Sequence, residues 1–211
     1  MINILTRTSN RPKEFSNLID NLKSQNCTLF NHIVVVDNKT SFEYVKNHKI
    51  QNLHEVEKDE LIKNYEFKDP KTGPFAPYNL YLNVLQEKVI DGWIMYLDDD
   101  DLFMDENSLS TIVNEIENSD EDTMLIWAMK FSNGFVVPKK NDIRNGPVKN
   151  FIGSPCFAFH SKYKDHAVWD YWKCSDYRVA KKLFNVIPKK KYINKILIYV
   201  PNSGGGNTQT T

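Results

Sequence analysis

Four consecutive carboxylates, Asp98-Asp99-Asp100-Asp101, follow the apolar run Trp93-Ile94-Met95-Tyr96-Leu97, and this junction is where chemistry is expected. Side chains alternate along a strand, so Asp98 and Asp100 are expected to point one way and Asp99 and Asp101 the other. Two like charges ~4 Å apart cost on the order of 4 kcal/mol near a protein surface, which favours protonation of one or capture of a cation. Oxygen-only ligands select a hard ion such as Mn2+ or Mg2+. The plainer alternative is a solvated acidic turn that caps the next helix. A D-x-D directly after five apolar residues fits a mere loop poorly.

The elements that must position this cluster are legible from periodicity. Residues 2–5 read as a short buried strand, and Pro12 opens a segment with Phe15, Leu18, Ile19 and Leu22 on one helical face. The β-branched run Ile33-Val34-Val35-Val36 predicts a strand buried on both faces, as in a parallel sheet between helices. Further helices are expected over residues 42–46, 77–87 and 109–116, the last capped by Asn107 and Ser108, with strands at 53–56 and 124–129 and a loop at 69–74. The first 130 residues therefore alternate strand and helix, the pattern of a layered α/β sheet, mixed but mostly parallel, with right-handed crossovers. In such a sheet ligands sit beyond the carboxyl ends of the strands, where Thr6 to Arg11, Asp37 and the four aspartates fall.

Beyond residue 130 the chain is aromatic-rich and less regular. Strands are expected at 134–137, 156–159 and 196–200, a helix around 176–183, and a flexible tail at 203–207. Lys189-Lys190-Lys191 reads as a solvated loop after Pro188. Trp169 and Trp172 are three apart, which suits packing in a helical core or, alternatively, a sugar-stacking platform.

With 27 basic and 27 acidic side chains in 211 residues, the chain lacks the basic surplus of a nucleic-acid binder. Its length suits one globular domain, residues 1–211, that needs no disulfide or structural metal. Cys27, Cys156 and Cys174 form no CxxC pair, which implies reduced thiols and a cytoplasmic setting. No apolar stretch approaches the ~20 residues of a membrane span, and the start lacks a signal peptide's charged and apolar regions. None of the five histidines has a partner at metal spacing; His160 and His166 lie nearest the second-half motifs.

Taken in order, these residues resemble the GT-A-fold, nucleotide-diphospho-sugar glycosyltransferases. The family's T-x-N-R-P after the first strand is matched by Thr6-Arg7-Thr8-Ser9-Asn10-Arg11-Pro12, its V-V-D by Val35-Val36-Asp37, and its L-D-x-D-D by Leu97-Asp98-Asp99-Asp100-Asp101. Gly73 followed by Pro77-Tyr78-Asn79 is similar to its G-x-x-x-A-R-N helix start, with Tyr78 where the family has arginine. The resemblance covers residues 2–130 well. It implies a Rossmann-like fold with a donor-binding half, 1–130, and an acceptor-binding half with its tail, 131–211. It further implies that Thr6, Thr8, Arg11 and Asp37 line a uracil pocket and that Asp98 faces the ribose. Asn79 and Asp99 belong to the donor site, and Asp100 with Asp98 holds Mn2+ or Mg2+ on the diphosphate of a UDP-sugar.

Cys174-Ser175-Asp176 stands where inverting members carry E-D before a helix, which makes Asp176 the candidate base for a glycan or protein-linked acceptor. An ordinary helix N-terminal carboxylate is the alternative, and the mechanism would then be retaining. Size and Asn/Lys-rich composition are most similar to glycosyltransferase domains of large algal (chlorella) viruses, implying a capsid-glycan acceptor, with room for further domains after residue 211.

Other classes fit less well. Aspartyl-phosphate phosphatases also place D-x-D at a strand end, making Asp98 a nucleophile, but near the N-terminus rather than mid-chain. A calcium loop lacks its turn glycine, and nucleotidyltransferases carry a glycine-rich loop that Thr6 to Arg11 does not contain. A non-catalytic nucleotide-sugar-binding module would keep the same carboxylates without turnover.

Overall fold

The computed structural model describes residues 1–64 and 73–201. Most of the loop expected at 69–74 and all of the tail at 203–207 lie outside the described residues. Strand β1 (Ile2–Thr8), helix α1 (Pro12–Lys23), β2 (Phe30–Val36), α2 (Lys39–Asn47), β3 (Asn52–Glu55) and α3 (Lys58–Asn64) alternate as the hydrophobic pattern requires. A single 3-10 turn (Pro77–Asn79) leads into α4 (Leu80–Glu87), followed by β4 (Trp93–Tyr96), β5 (Leu102–Phe103), α5 (Ser108–Glu117), β6 (Thr123–Phe131) and β7 (Val136–Val137). The chain ends with β8 (Phe157–His160), α6 (Ser175–Val186) and β9 (Lys189–Val200).

These strands form one mixed sheet in the order β3-β2-β1-β4-β8-β6-β9-β5, with β7 on β6. The long ladders β3-β2-β1-β4 and β6-β9 are parallel, while β8 enters antiparallel between β4 and β6. Ile33 to Val36 and Trp93 to Leu97 are buried, as continuous apolar runs in a two-sided sheet must be. The expected stripe of α1, Phe15, Leu18, Ile19 and Leu22, is its buried face, and Pro12 occupies the first turn, where its missing N–H costs nothing. Asn38 caps α2, accepting the Ser41 N–H at 2.8 Å. At α5 the cap comes from a different residue than expected: Asp105 Oδ1 accepts the Asn107 N–H at 2.9 Å and the Ser108 hydroxyl at 3.1 Å. Gly92 opens β4 at φ +95°, where a Cβ would fall 2.6 Å from the Met1 carbonyl oxygen.

Two expectations for the second half are corrected. Lys189-Lys190-Lys191 is the beginning of β9, pairing in parallel with Thr123, Met124 and Leu125. Its backbone joins the ladder while its ammonium groups stay outside, Lys189 on Asp120 and Lys191 on Glu115. Trp169 and Trp172 lie in no helix; they belong to a non-helical segment, 167–172, packed against α4. Both are buried, Trp169 edge-on to Tyr96 at 4.9 Å.

That segment is held by an amide ladder. Asn79, Asn83 and Gln86 follow at i, i+4 and i+7 along one face of α4 and its leading turn, and their amide nitrogens donate to the carbonyls of Trp172 (3.0 Å), Trp169 (2.9 Å) and Ala167 (3.0 Å). Asn83 Oδ1 also accepts the Trp169 N–H at 2.8 Å, and Gln86 Oε1 accepts the Tyr96 hydroxyl at 2.9 Å. Irregular backbone is buried here because side chains supply the partners a strand neighbour would otherwise give.

Candidate functional site

The C-terminal ends of β1, β2 and β4 lie side by side because their parallel register sets Thr8 beside Val36 and Leu5 beside Tyr96. The Leu97 N–H extends the ladder to the Leu5 carbonyl at 3.0 Å, and Asp98 is the first residue past it. A cavity of about 770 Å³ opens over these ends. Its lining includes Thr8, Asp37, Asn79 and Asp98 to Asp101 from the first half of the chain and Met129, Phe131, Ser154 and Asp176 from the second.

The carboxylates do not alternate across a strand. β4 ends at Tyr96, and Asp98 to Asp101 form a turn in which the Asp101 N–H donates to the Asp98 carbonyl at 3.0 Å. The side chains are sorted by depth instead. Asp98 and Asp100 keep 19% of their side-chain surface exposed, while Asp99 keeps 3%. Arg7 forks onto Asp98 through Nε and Nη2, both at 2.9 Å. Arg11 divides its fork, Nη1 to Asp99 at 2.8 Å and Nη2 to Asp100 at 2.7 Å. Burial pushes the Asp99 carboxyl up to about 7, outweighing the opposing pull of Arg11 and the Thr8 hydroxyl. Asp101, buried and next to three other carboxylates, is pushed well above the ordinary carboxylate range, first by burial and then by those charges.

The expected donor residues separate into those that face the cavity and those that hold it. Thr6 is fully buried and lies outside the cavity lining: its hydroxyl donates to the Leu97 carbonyl at 2.8 Å and meets His32 Nε2 at 3.0 Å. As that hydroxyl's hydrogen is committed to Leu97, His32 donates from Nε2 and is neutral, consistent with burial lowering its pKa to about 4. Thr6 therefore ties β1 to β4 rather than touching a base. Thr8 donates to Asp99 Oδ2 at 2.7 Å and takes the Tyr44 hydroxyl at 2.7 Å. Arg11 lines the cavity, but its outer nitrogens are engaged by the aspartates, so it positions them. Asp37 accepts from Ser9 at 2.6 Å and Asn38 at 2.5 Å, one bond per oxygen, which leaves acceptor capacity toward the cavity. Asn79 spends both ends of its amide on the walls, accepting from Arg7 Nη1 at 3.2 Å and donating to Trp172.

Asp176 opens α6 after Cys174, whose left-handed φ of 63° turns the chain into the helix. One of its oxygens accepts the Tyr177 N–H at 2.8 Å. Burial raises its pKa to about 6, against the pull of that bond and of Arg7. His160 lies at the opposite end of the strands, opposite Trp93 at the start of β4, and neither it nor His166 lines the cavity.

Arg7 is the functional residue that motif reading missed. Besides Asp98 and Asn79, its guanidinium lies 4.8 Å over the Tyr78 ring. The signal was available: in a strand that carries Thr6 and Thr8 on one face, residue 7 points to the other. Asp98 and Asp100 both line the cavity and offer oxygen ligands of the kind a hard divalent ion takes, but in this structure Arg7 holds both oxygens of Asp98 and Arg11 holds Oδ2 of Asp100. Among the described residues no group of three metal-ligating side chains is assembled.

Fold and site together define a sheet-end transferase pocket of the GT-A type. Residues 4–187 match the family described as glycosyl transferase family 2, and the chain belongs to that family. No curated protein matches the sequence. S. aureus TarS 1-349 in complex with UDP-GlcNAc is similar with a TM-score of 0.68 and 19% identity, over 97% of this chain and 59% of that one. Mannosyltransferase PcManGT from Pyrobaculum calidifontis, in complex with GDP-Man and Mn2+, is similar with a TM-score of 0.62 and 14% identity, over 96% of this chain and 58% of that one. At these identities the likeness is one of fold. This chain spans less than two thirds of either structure's length. Among the described residues no helix is long and apolar enough to cross a membrane.

Proposed function

We propose that this glycosyltransferase moves a sugar from a UDP-sugar to a hydroxyl of a glycan or protein-linked acceptor, with a divalent cation at the donor diphosphate and Asp176 as base. The observation that carries the reading is the convergence of Thr8, Asp37, Asp98, Asp100 and Asp176 on one cavity. Asp37 has acceptor capacity for the uracil N3–H, and Asp98 faces the ribose. Asp99, Arg11 and Asn79 act on the donor by fixing those groups. Asp98 and Asp100 would hold Mn2+ or Mg2+, which when bound supplies Lewis acidity to the departing diphosphate. Asp176, with a pKa raised to about 6, is largely ionised at neutral pH yet more basic than an ordinary carboxylate, which suits proton removal from an acceptor hydroxyl and an inverting displacement.

In this reading residues 1–130 bind donor and 131–211 bind acceptor within one domain. A hexosyl donor, a cytoplasmic location and a capsid-glycan acceptor are the extension of the reading that rests on resemblance and composition. The test is calorimetric titration of UDP, GDP and CMP, each with and without Mn2+. UDP is expected to bind, and only with metal. Preference for GDP would move the donor class, and no binding by any nucleotide would sink the proposal.

A further inference from the structure

Residues 130–151, the β6–β7 hairpin and the loop after it, differ from the rest of the molecule in charge and in surface. The chain is neutral overall, yet this segment carries five cations, Lys130, Lys139, Lys140, Arg144 and Lys149, against one acid, Asp142. The same segment leaves Phe135 46%, Val148 47% and Phe151 40% exposed. The rings are gathered rather than scattered. Phe135 stacks with Phe131 at 6.2 Å and meets Phe151 at 6.1 Å. Phe131 lines the cavity, so the row of rings is continuous with the cavity lining. The presentation is firm: the Phe131 N–H donates to the Phe135 carbonyl at 2.8 Å and the Gly134 N–H to the Phe131 carbonyl at 2.9 Å.

Three occupants can be weighed on chemistry. A glycan needs donors and acceptors beside the ring faces, and phenylalanine, unlike tyrosine or tryptophan, brings none. A second copy of the chain meeting this face about a two-fold axis would set its cations against the same cations. Exposed apolar side chains in a segment with a surplus of lysine and arginine are instead the composition of surfaces that settle into an anionic bilayer interface.

We propose that this face docks on an anionic phospholipid membrane, with Phe135, Val148 and Phe151 entering the boundary between headgroups and acyl chains and the cations meeting the headgroup phosphates. The docking does not depend on which nucleotide or sugar the cavity takes. It turns the Phe131 side of the cavity toward the membrane.

Co-sedimentation of the whole chain with vesicles tests this. Binding is expected to vesicles containing phosphatidylglycerol, to weaken with added salt, and to be absent with phosphatidylcholine alone. Lys139→Ser with Lys140→Ser is expected to weaken it by on the order of tenfold or more, at about fivefold per surface charge. Phe135→Ser with Phe151→Ser is expected to abolish it, while UDP binding, measured in the same preparations, stays unchanged and reports that each variant is folded. The proposal is overturned by failure to bind either vesicle or by equal binding to both. It is equally overturned if the phenylalanine variant binds as wild type does, or if Phe135 and Phe151 prove to hold a dimer in solution with no vesicle binding.

Discussion

The two walls of the cavity are built by different means. On the side proposed to bind donor, called the donor wall, parallel strands in register deliver Thr8, Asp37 and Asp98 to one line, and two arginines lock the carboxylates that follow. On the opposite wall the approach to Asp176 is irregular chain, and the amides of Asn79, Asn83 and Gln86 fix it through its backbone carbonyls. The first construction is set by strand register and charge, the second by a few side-chain to backbone bonds. Changes of charge are therefore expected to act chiefly on the donor wall's carboxylate turn, and single amide deletions on the acceptor wall.

The sharpest break between the walls is Asp176→Asn. Transfer is expected to fall by about 10²–10⁴-fold, the usual worth of a positioned base, while UDP affinity stays as it was. Since the Asp176 carboxyl sits at about 6, wild-type transfer is expected to rise with pH through about 6 and level off above it, and the variant to lack that limb. Equal loss of UDP binding would mean that the walls do not act separately.

The donor wall carries its own pH signature through Asp99. Its carboxyl is held at about 7 rather than 3.8, so the fold favours the protonated form. A raised carboxyl contributes stability that is complete below 3.8 and is lost as pH climbs through about 7. The urea midpoint of the wild type is expected to fall across that window, and Asp99→Asn to flatten the fall by on the order of a few kcal/mol. Asp101 and Asp176 add slopes of the same sign, that of Asp176 ending at about 6, and Asp99→Asn leaves both in place. A wild-type midpoint that rises with pH over this range would contradict the burial argument.

On the acceptor wall, Asn83→Leu removes the amide that both donates to and accepts from Trp169. Two buried backbone groups lose their partners, a cost of about 2–3 kcal/mol in urea unfolding. In steady-state kinetics the acceptor KM is expected to rise more than the donor KM. The reverse order would assign the ladder to the donor wall.

The same contrast explains what was legible in the sequence. Strands β1, β2 and β4, the apolar stripe of α1 and the placing of Asp37 and Asp98 at one edge follow from periodicity and from the rule for open α/β sheets. Depth was not legible: period-two reasoning put Asp98 with Asp100 on one face, and the chain turns at that point, so Asp99 is separated by burial instead. Thr6 and Arg11 matched motif positions but serve as partners of Leu97 and of the aspartates, because neighbours ninety residues away set their roles. The amide ladder left no mark, since Asn79, Asn83 and Gln86 are ordinary helix residues until a partner backbone is known. Lys189 to Lys191 looked like a loop because strand pairing on β6 is a tertiary fact.

Arg7 offers the finest probe of the donor wall. The family-like helix start lacks its arginine at Tyr78, and the guanidinium that grips Asp98 comes from β1 and lies across that tyrosine ring. If charge at this place matters more than the residue that carries it, an arginine at 78 is expected to serve, because the side chain at 78 already reaches the Arg7 guanidinium. Arg7→Met is expected to cost on the order of 3 kcal/mol in urea unfolding, since only 19% of each side chain is exposed and Asp98 is left without its partner. It should also weaken UDP binding several-fold by releasing Asp98. Adding Tyr78→Arg to Arg7→Met is expected to recover most of that affinity. A double variant no better than Arg7→Met would show that the rigid β1 position, rather than the charge, orients Asp98, and would align the donor wall with the acceptor wall, where backbone geometry decides.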